Sequence, residues 1–259
     1  MTDPRKGNAF YYDLDATPLD DIPFYQNEVG TDTSVLELGC GTGRTLIPIA
    51  TQCREITGID YSADMVARCK SKLPNTLTDK CKILVGDITQ LDLGRKFELL
   101  IAPYRVMQAL ETDQELDGFF STIERHLSPT GSCILNVFNP KKKKDEMLSS
   151  WAKPNEEKRW DKTLPDNSRV VHSEWYERIS KDPMVLFVRL IYRKYRDEKL
   201  TDEFVQKIKM RCYYPDEFKT LIASHGFHIT ASWGGYQGEK YGEGPELIAR
   251  FSRKDILRL

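Results

Sequence analysis

Residues 35–44 read Val-Leu-Glu-Leu-Gly-Cys-Gly-Thr-Gly-Arg, an apolar run that breaks into glycines at alternate positions. Glycine at such a turn tolerates positive φ and lets backbone come close to a ligand. A helix that follows directly offers its N-terminal N–H groups to that ligand, at the carboxyl edge of a sheet. The surrounding chain fits this geometry. From residue 35, β-rich runs (Val35–Leu38, Glu55–Asp60, Lys82–Val85, Phe97–Ala102, Ser132–Phe138) alternate with helical stretches near Thr45–Thr51, Ala63–Lys72 and Asp113–Leu127. In the last of these, Thr112 and Glu115 form a capping box, and Leu116, Phe119, Phe120, Ile123 and Leu127 line one face. Pro129 and Gly131 then stop the helix. Repeated β–α alternation predicts an α/β, Rossmann-like fold with a mostly parallel sheet and helices on both faces.

After Pro140 the rhythm changes. A charge run, KKKKDE, leads into a polar stretch over 149–169. Three strand-like segments follow, Val170–Ser180, Met184–Arg196 and Glu203–Tyr214, with Asp182-Pro183 and Asp197-Glu198-Lys199 as turns. This predicts an inserted antiparallel β-cap. In its third strand, Phe204, Ile208, Met210 and Cys212 share one face, and Lys207, Lys209 and Arg211 share the other. The α/β pattern resumes with a helix from Pro215 to Gly226, a strand near Phe227–Trp233 and another near Leu247–Phe251. The expected organisation is an aromatic lid segment over 1–34, an α/β core over 35–140 and 215–259, and the cap over 141–214.

Composition removes several classes. Lys+Arg is 38 against Asp+Glu at 39, a net charge of −1, so the basic excess of a polyanion binder is missing. No aromatic residues interleave the KKKK run, which argues further against a nucleic-acid partner. No apolar run is long enough to span a membrane, and the first residues lack the apolar stretch of a signal peptide. The six cysteines and four histidines show no zinc, redox or HExxH spacing, so no metal is expected, and a cytoplasmic protein is.

Asp60 ends the second strand 21 residues after Gly39, where a carboxylate can hold both hydroxyls of a ribose. Two nucleoside cofactors use such a frame. A dinucleotide fingerprint, G-x-G-x-x-G, needs glycine where this chain has Arg44, and its pyrophosphate would meet the carboxylate of Glu37. An adenosyl sulfonium with an amino-acid tail meets no such conflict. Here the sequence resembles the class I S-adenosylmethionine-dependent methyltransferases, through VLELGCGTGR, ITGIDYSADMVARCK, ILVGDITQLDL and FELLIAPYRVMQAL in their usual order. It is similar, more narrowly, to a bacterial small-molecule subgroup related to sugar N,N-dimethyltransferases, through YYDLD…DDIPFY, VFNP at 137–140 and YYPDEF at 213–218. The resemblance covers nearly the whole chain and implies a seven-stranded sheet.

The resemblance also implies the cofactor site. S-adenosylmethionine, leaving as S-adenosylhomocysteine, would lie on Gly39 and Gly41, with Glu37 at its amino-acid tail. Asp60 would hold the ribose, Tyr61 would flank the adenosine, Met65 would pack on the base, and Asp87 with Ile88 would read it. Tyr12 or Tyr11 would close over the methionyl end, unless Phe10, Tyr11, Tyr12, Phe24 and Tyr25 simply pack together. Ile101-Ala102-Pro103-Tyr104 opens beside the methyl group, with Pro103 on the cofactor side. Ala102 stands where base-methylating enzymes keep a polar residue. Tyr104 and Gln108 are catalytic candidates; Tyr104, Arg105, Gln108, Asn139, Arg211 and Tyr236 are candidates for holding the acceptor. Lys207, Lys209 and Arg211 fit an outward, solvated face better than a cleft wall. No histidine follows the fourth strand, so no general base is named. The expected activity is methyl transfer to N or O of a small molecule by in-line displacement. The alternatives are an RNA or protein methyltransferase, or a non-catalytic cofactor binder using the cap as a partner surface. The oligomeric state is left open.

Overall fold

The structure is a computed structural model describing residues 6–7, 9–15 and 21–254. The Thr17-Pro18-Leu19-Asp20 part of the expected lid and residues 255–259 of the expected core lie outside it. Strands β1 (Ser34–Leu38), β2 (Glu55–Asp60), β3 (Cys81–Val85), β4 (Phe97–Ala102), β5 (Leu127–Phe138), β10 (Phe227–Trp233) and β11 (Glu246–Arg253) form a seven-stranded sheet. Its order is β10-β11-β5-β4-β1-β2-β3, and β11 runs antiparallel to both neighbours. Alternation along each strand builds a core on both faces. Val35, Leu99, Ile101, Ile134 and Ile248 pack on one side, against helices α3 (Leu46–Ala50) and α4 (Ala63–Lys72). Leu36, Leu38, Leu100, Leu135 and Val137 pack on the other, against α5 (Asp113–His126) and α7 (Pro215–Ser224). Each such fully buried side chain contributes roughly 1.5–3 kcal/mol. The capping box of Thr112 and Glu115 starts α5 as expected.

The cap is a second sheet, four strands ordered β6 (Glu157–Thr163), β7 (Arg169–Lys181), β8 (Met184–Arg196) and β9 (Lys199–Arg211). It thus has one strand more than the sequence predicts. Glu157, Lys158, Arg159, Asp161 and Lys162 are all exposed in β6, so an edge strand formed without any apolar alternation to announce it. Strand β9 begins four residues early because Asp197 and Glu198 both take positive φ and close a tight hairpin, with Arg196 opposite Lys199. A short helix, α6 (Lys144–Ser150), occupies the KKKKDE run.

The described part of the N-terminal segment is helical: α1 (Ala9–Asp15) and α2 (Asp21–Gln26). Helix α1 joins core to cap. Asp13 accepts from Thr42 of the glycine turn and from Arg68 and Lys72 of α4. On its other side, Tyr11 hydrogen-bonds Asp202 and stacks on Tyr192 and Phe204, while Asp15 accepts from Trp160 Nε1 at 2.7 Å.

Candidate active site

The glycine turn follows β1 at the carboxyl edge of the sheet. Gly39 has φ +78° and a Cβ there would sit 2.6 Å from Val106, so only glycine fits. Gly41, at φ +52°, differs: the nearest atom to its missing Cβ is Tyr12 Cε1, 4.0 Å away. Its bare face opens on a cleft, where backbone can meet a ligand. Asp60 is fixed beside it, accepting from Gly41 N–H at 2.8 Å on one oxygen and from Ser62 N–H at 2.9 Å on the other. One carboxylate therefore links the turn to the start of α4.

Glu37 lies in mid-strand opposite Gly58 and Ile101, 1% exposed, and its Oε2 has no hydrogen-bond partner. Burial pushes its carboxyl well above the usual range, helped by Cys69, Asp21 and Asp60 and opposed by Arg44. Three more buried polar atoms in this neighbourhood lack partners: Arg44 Nε and the hydroxyls of Tyr25 and Tyr236. An α-ammonium would satisfy Glu37, and the remaining N–H and O–H groups suit a carboxylate. The residues present therefore fit the amino-acid tail of an adenosyl sulfonium cofactor, and its ribose matches Asp60.

Arg44 itself is clamped to Asp21 of α2, with Nη1–Oδ1 at 2.7 Å and Nη2–Oδ2 at 2.6 Å. Burial works against its charge; the Asp21 carboxylate more than compensates, with a smaller part from Tyr12. The guanidinium lies 4.9 Å over the ring of Tyr104, and Tyr12 meets Tyr104 edge-on at 6.2 Å. Of the two tyrosines left open for the methionyl end, Tyr12 thus reaches the turn while Tyr11 turns into the cap. After β2, Tyr61 is exposed and Met65 buried. Asp87 accepts from the N–H and hydroxyl of Thr89, which holds the β3 loop beside Ile88.

At the end of β4, after Pro103, both Tyr104 and Arg105 sit at positive φ (58° and 65°), a strained conformation for side-chain-bearing residues. Arg105 N–H donates to Asn136 Oδ1, its guanidinium pairs with Glu246, and Asn136 Nδ2 donates to Glu246. Burial disfavours the Arg105 charge, but Glu246 more than restores it. This network holds Tyr104 out into the cleft.

The other acceptor-side candidates are committed elsewhere. Gln108 is fully buried; its Nε2 donates to Arg211 O at 2.8 Å and its Oε1 accepts Phe138 N–H at 2.9 Å, tying cap to core. Asn139 donates to the carbonyls of Gly242 and Gly244. Arg211 pairs with Asp113 at 2.8 Å, and Lys209 with Glu111 at 2.8 Å, on the outward face. Tyr236 packs against Phe24 and Tyr25 beneath the cleft. Lys141, Lys142 and Lys144 are held locally, by the Glu243 carbonyl, Ser150 and Glu217. Sequence reasoning missed Asp21, Asn136 and Glu246. A lone polar residue inside the apolar runs ILNVF and PELIARF was the available signal for the last two.

A cavity of about 330 Å³ lies beside this edge, between the end of β5 and the cap, walled by Phe138, Met147, Trp151 and Tyr176. Another, of about 280 Å³, lies at the opposite end of β5, around Gly131 and Arg250, away from any of these groups. Among the described residues, no group of three His, Cys, Asp or Glu side chains could hold a metal, and no helix is long and apolar enough to cross a membrane.

Glycine turn, β2 acid and strand order together define the class I S-adenosylmethionine-dependent methyltransferase fold. Within it, residues 35–131 match a methyltransferase domain. The fold is shared with DesVI of Streptomyces venezuelae (TM-score 0.73, 17% identity, 98% of this chain and 100% of that one). It is shared equally with an S-adenosylmethionine-dependent methyltransferase from Clostridium acetobutylicum (TM-score 0.72, 16% identity, 97% and 99%). By sequence, the chain is 25% identical over 129 residues to the dTDP-3-amino-3,4,6-trideoxy-alpha-D-glucopyranose N,N-dimethyltransferase of Streptomyces venezuelae, covering 50% of this chain and 52% of that protein. It is 28% identical over 102 residues to a dTDP-3-amino-3,6-dideoxy-alpha-D-glucopyranose N,N-dimethyltransferase of Streptomyces fradiae, covering 39% and 38%. The chain therefore spans about half the length of these relatives or less.

Proposed function

We propose that the protein transfers a methyl group from S-adenosylmethionine to an amine nitrogen of a small molecule. The observation that carries this reading is the buried, unpartnered Glu37 oxygen beside the open face of Gly41. It supports an ammonium-bearing cofactor tail there. The N,N-dimethyltransferases of amino sugars among the relatives support nitrogen as the accepting atom, and the local contacts of Lys141, Lys142 and Lys144 support a small molecule over RNA. S-adenosylmethionine supplies an electrophilic methyl carbon on a sulfonium sulfur. Gly39 and Gly41 would carry its backbone-facing edge, Asp60 its ribose hydroxyls, and Tyr61, Met65, Asp87 and Ile88 its adenine. Tyr12 would cover the amino-acid tail, excluding water, while Pro103 and Tyr104 would border the methyl group. Holding the acceptor nitrogen within ~3–3.5 Å of that carbon, in line with the sulfur, supplies much of the acceleration. The reading is tested by offering the protein labelled S-adenosylmethionine with dTDP-amino sugars and a panel of free amines. A mass gain of one or two methyl groups on any of them is expected; cofactor binding with no methylated product across the panel would favour a non-catalytic binder.

Two further predictions concern the cofactor. The raised carboxyl of Glu37 retains its proton in the folded protein at pH values where an unfolded glutamate has lost it. The folded state binds the extra proton, so stability falls as pH rises from the unfolded value towards the folded one. An ammonium at Oε2 favours the charged form, so cofactor binding should release a proton and tighten as pH rises through that window. Calorimetry in buffers of different ionisation enthalpy should show this release, and Glu37→Gln should lose it with about 1.5–3 kcal/mol of affinity. Heats independent of the buffer would contradict the assignment. The two tyrosines should separate: Tyr12→Phe should cost about 0.5–1.5 kcal/mol of cofactor binding, whereas Tyr11→Phe should lower the melting temperature and leave affinity alone. The reverse pattern would exchange their roles.

A further inference from the structure

The lysine run that follows β5 borders a cavity. Lys141 and Lys142, with Lys153 from the loop after α6, stand around the space of about 330 Å³ at the end of that strand. Its walls are apolar and aromatic: Phe138 of β5, Met147 of α6, Trp151 just after that helix, and Tyr176 of β7. Trp151 meets the Tyr176 ring edge-on at 4.7 Å. Among the described residues, no Asp or Glu side chain lines the space. The frame is pinned from several sides. The Lys142 carbonyl accepts from the Tyr214 hydroxyl at 3.0 Å. Lys153 N–H donates to the Tyr176 carbonyl at 2.8 Å, and its own carbonyl accepts from Trp175 Nε1 at 3.0 Å.

The ammonium groups keep donors to spare, since each lysine has three N–H bonds and no acceptor. Lys141 Nζ gives two, to the carbonyl oxygens of Glu243 and Gly244 at 2.7 and 2.5 Å. Those partners are neutral and leave its charge uncancelled. Lys142 Nζ gives one to Ser150 Oγ at 2.9 Å and lies 3.7 Å from Glu146. Both members of that ion pair are exposed, so it contributes little. Lys153 Nζ meets no acceptor among the described residues. Trp151 Nε1 adds a buried donor with no hydrogen-bond partner. The acid that touches the wall is Glu174, through the Tyr176 hydroxyl, and Arg159 already pairs with it at 2.8 Å.

We propose that this cavity binds a flat organic anion: one aromatic or heteroaromatic ring bearing a phosphate or carboxylate. The ring lies against Phe138, Trp151 and Tyr176, and the anionic group meets the lysine ammoniums at the rim. Small-molecule pockets run from about 300 to 1,000 Å³, so this one takes a single ring with its charged group. Apolar walls lower the local dielectric and strengthen each charge-assisted hydrogen bond made there. A neutral ring leaves the ammoniums without a partner, and a bare inorganic anion leaves the aromatic walls in water. A molecule with both parts satisfies both. None of the wall residues is assigned to S-adenosylmethionine, so this site stands or falls apart from the cofactor's. Phe138 nevertheless connects the two, because the Arg105 guanidinium, next in sequence to Tyr104, lies 5.8 Å from its ring. The anion therefore comes from one of two sources with the same chemistry: the far end of the methyl acceptor, or a separate ligand packed on Phe138.

The test uses the full chain labelled with ¹⁵N-tryptophan. Its four tryptophans give four indole signals, and Trp151→Phe assigns one of them by removing it. Phenyl phosphate should shift the Trp151 signal saturably, with at least tenfold higher affinity than phenol or inorganic phosphate, and benzoate should act as phenyl phosphate does. The double variant Lys142→Gln, Lys153→Gln should weaken phenyl phosphate at least tenfold, leave the response to phenol unchanged and keep the native circular dichroism. Lys141 stays in place because it holds the 242–244 loop. An absent response would overturn the proposal. So would equal affinities for phenol and phenyl phosphate, or an unchanged phenyl phosphate affinity in the double variant. If Trp151→Phe does not fold, the indole signal whose phenyl phosphate response the lysine variant weakens makes the assignment. S-adenosylhomocysteine binding on the same sample judges the cofactor reading separately. A bifunctional probe, 4-(aminomethyl)phenyl phosphate, separates the two sources. Its methylation from labelled S-adenosylmethionine, lowered at least tenfold by the double variant, assigns the anion to the acceptor; binding without methylation assigns it to a separate ligand.

Discussion

Gly41→Val is expected to leave a folded protein that has lost S-adenosylmethionine, with binding weaker by at least a hundredfold, or about 2.7 kcal/mol. Two effects combine. At φ +52° a side chain costs ~1–2 kcal/mol of backbone strain, and more when it is β-branched. The added methyls would also fill the open space that separates the turn from Tyr12. Because nothing packs against that face, the fold itself has little to lose beyond the strain. Gly39→Val, by contrast, would drive into Val106 and should cost folding first. Thermal melts and titration with S-adenosylhomocysteine on both variants separate these outcomes. Normal affinity in a folded Gly41→Val would show that the turn is structural only, with the ligand held elsewhere.

The contrast between those glycines also shows what the sequence made legible. Three glycines after a strand announce a close approach, but not which of them faces a ligand; that depends on Val106 and Tyr12, which come from distant segments. Asp60 could be placed by its position after the second strand, since strand ends recur at one edge of a parallel sheet. The core strands were readable because a sheet covered on both faces leaves short, nearly continuous apolar runs in the sequence. Strand β6 was not, because an exposed edge strand carries charges on both faces and takes its stability from the ladder with β7. Gln108, Asn139 and Arg211 were reasonable acceptor candidates by position alone. Their polar groups instead meet backbone and acids brought in by the cap and the 242–244 loop, contacts of long sequence separation that no local pattern encodes.

A buried ion pair ties α2 to the glycine turn, and its removal is expected to give the largest loss of stability. Asp21 is fully buried and Arg44 is 14% exposed at the side chain, with two parallel hydrogen bonds between them. Asp21→Ala strands a guanidinium in a site whose remaining acid, Glu37, favours its neutral form. Breaking one partner of such a pair typically costs about 3–5 kcal/mol, because the surviving charge is left uncompensated. Removing both is different. The double variant Asp21→Ala, Arg44→Leu deletes the charges together and should recover most of that loss, since a buried pair contributes little net stability over apolar groups of similar size. Denaturant melts of the two single variants and the double variant give the coupling energy directly. Cofactor affinity should not recover with stability: Arg44 also lies over Tyr104 and beside Tyr12, so the double variant should fold and still bind S-adenosylhomocysteine poorly. Full recovery of both would make the pair a strut between α2 and the glycine turn, with no part in the site. Additive losses, with the double variant no better than the sum of the singles, would mean that the two side chains do not act as a pair.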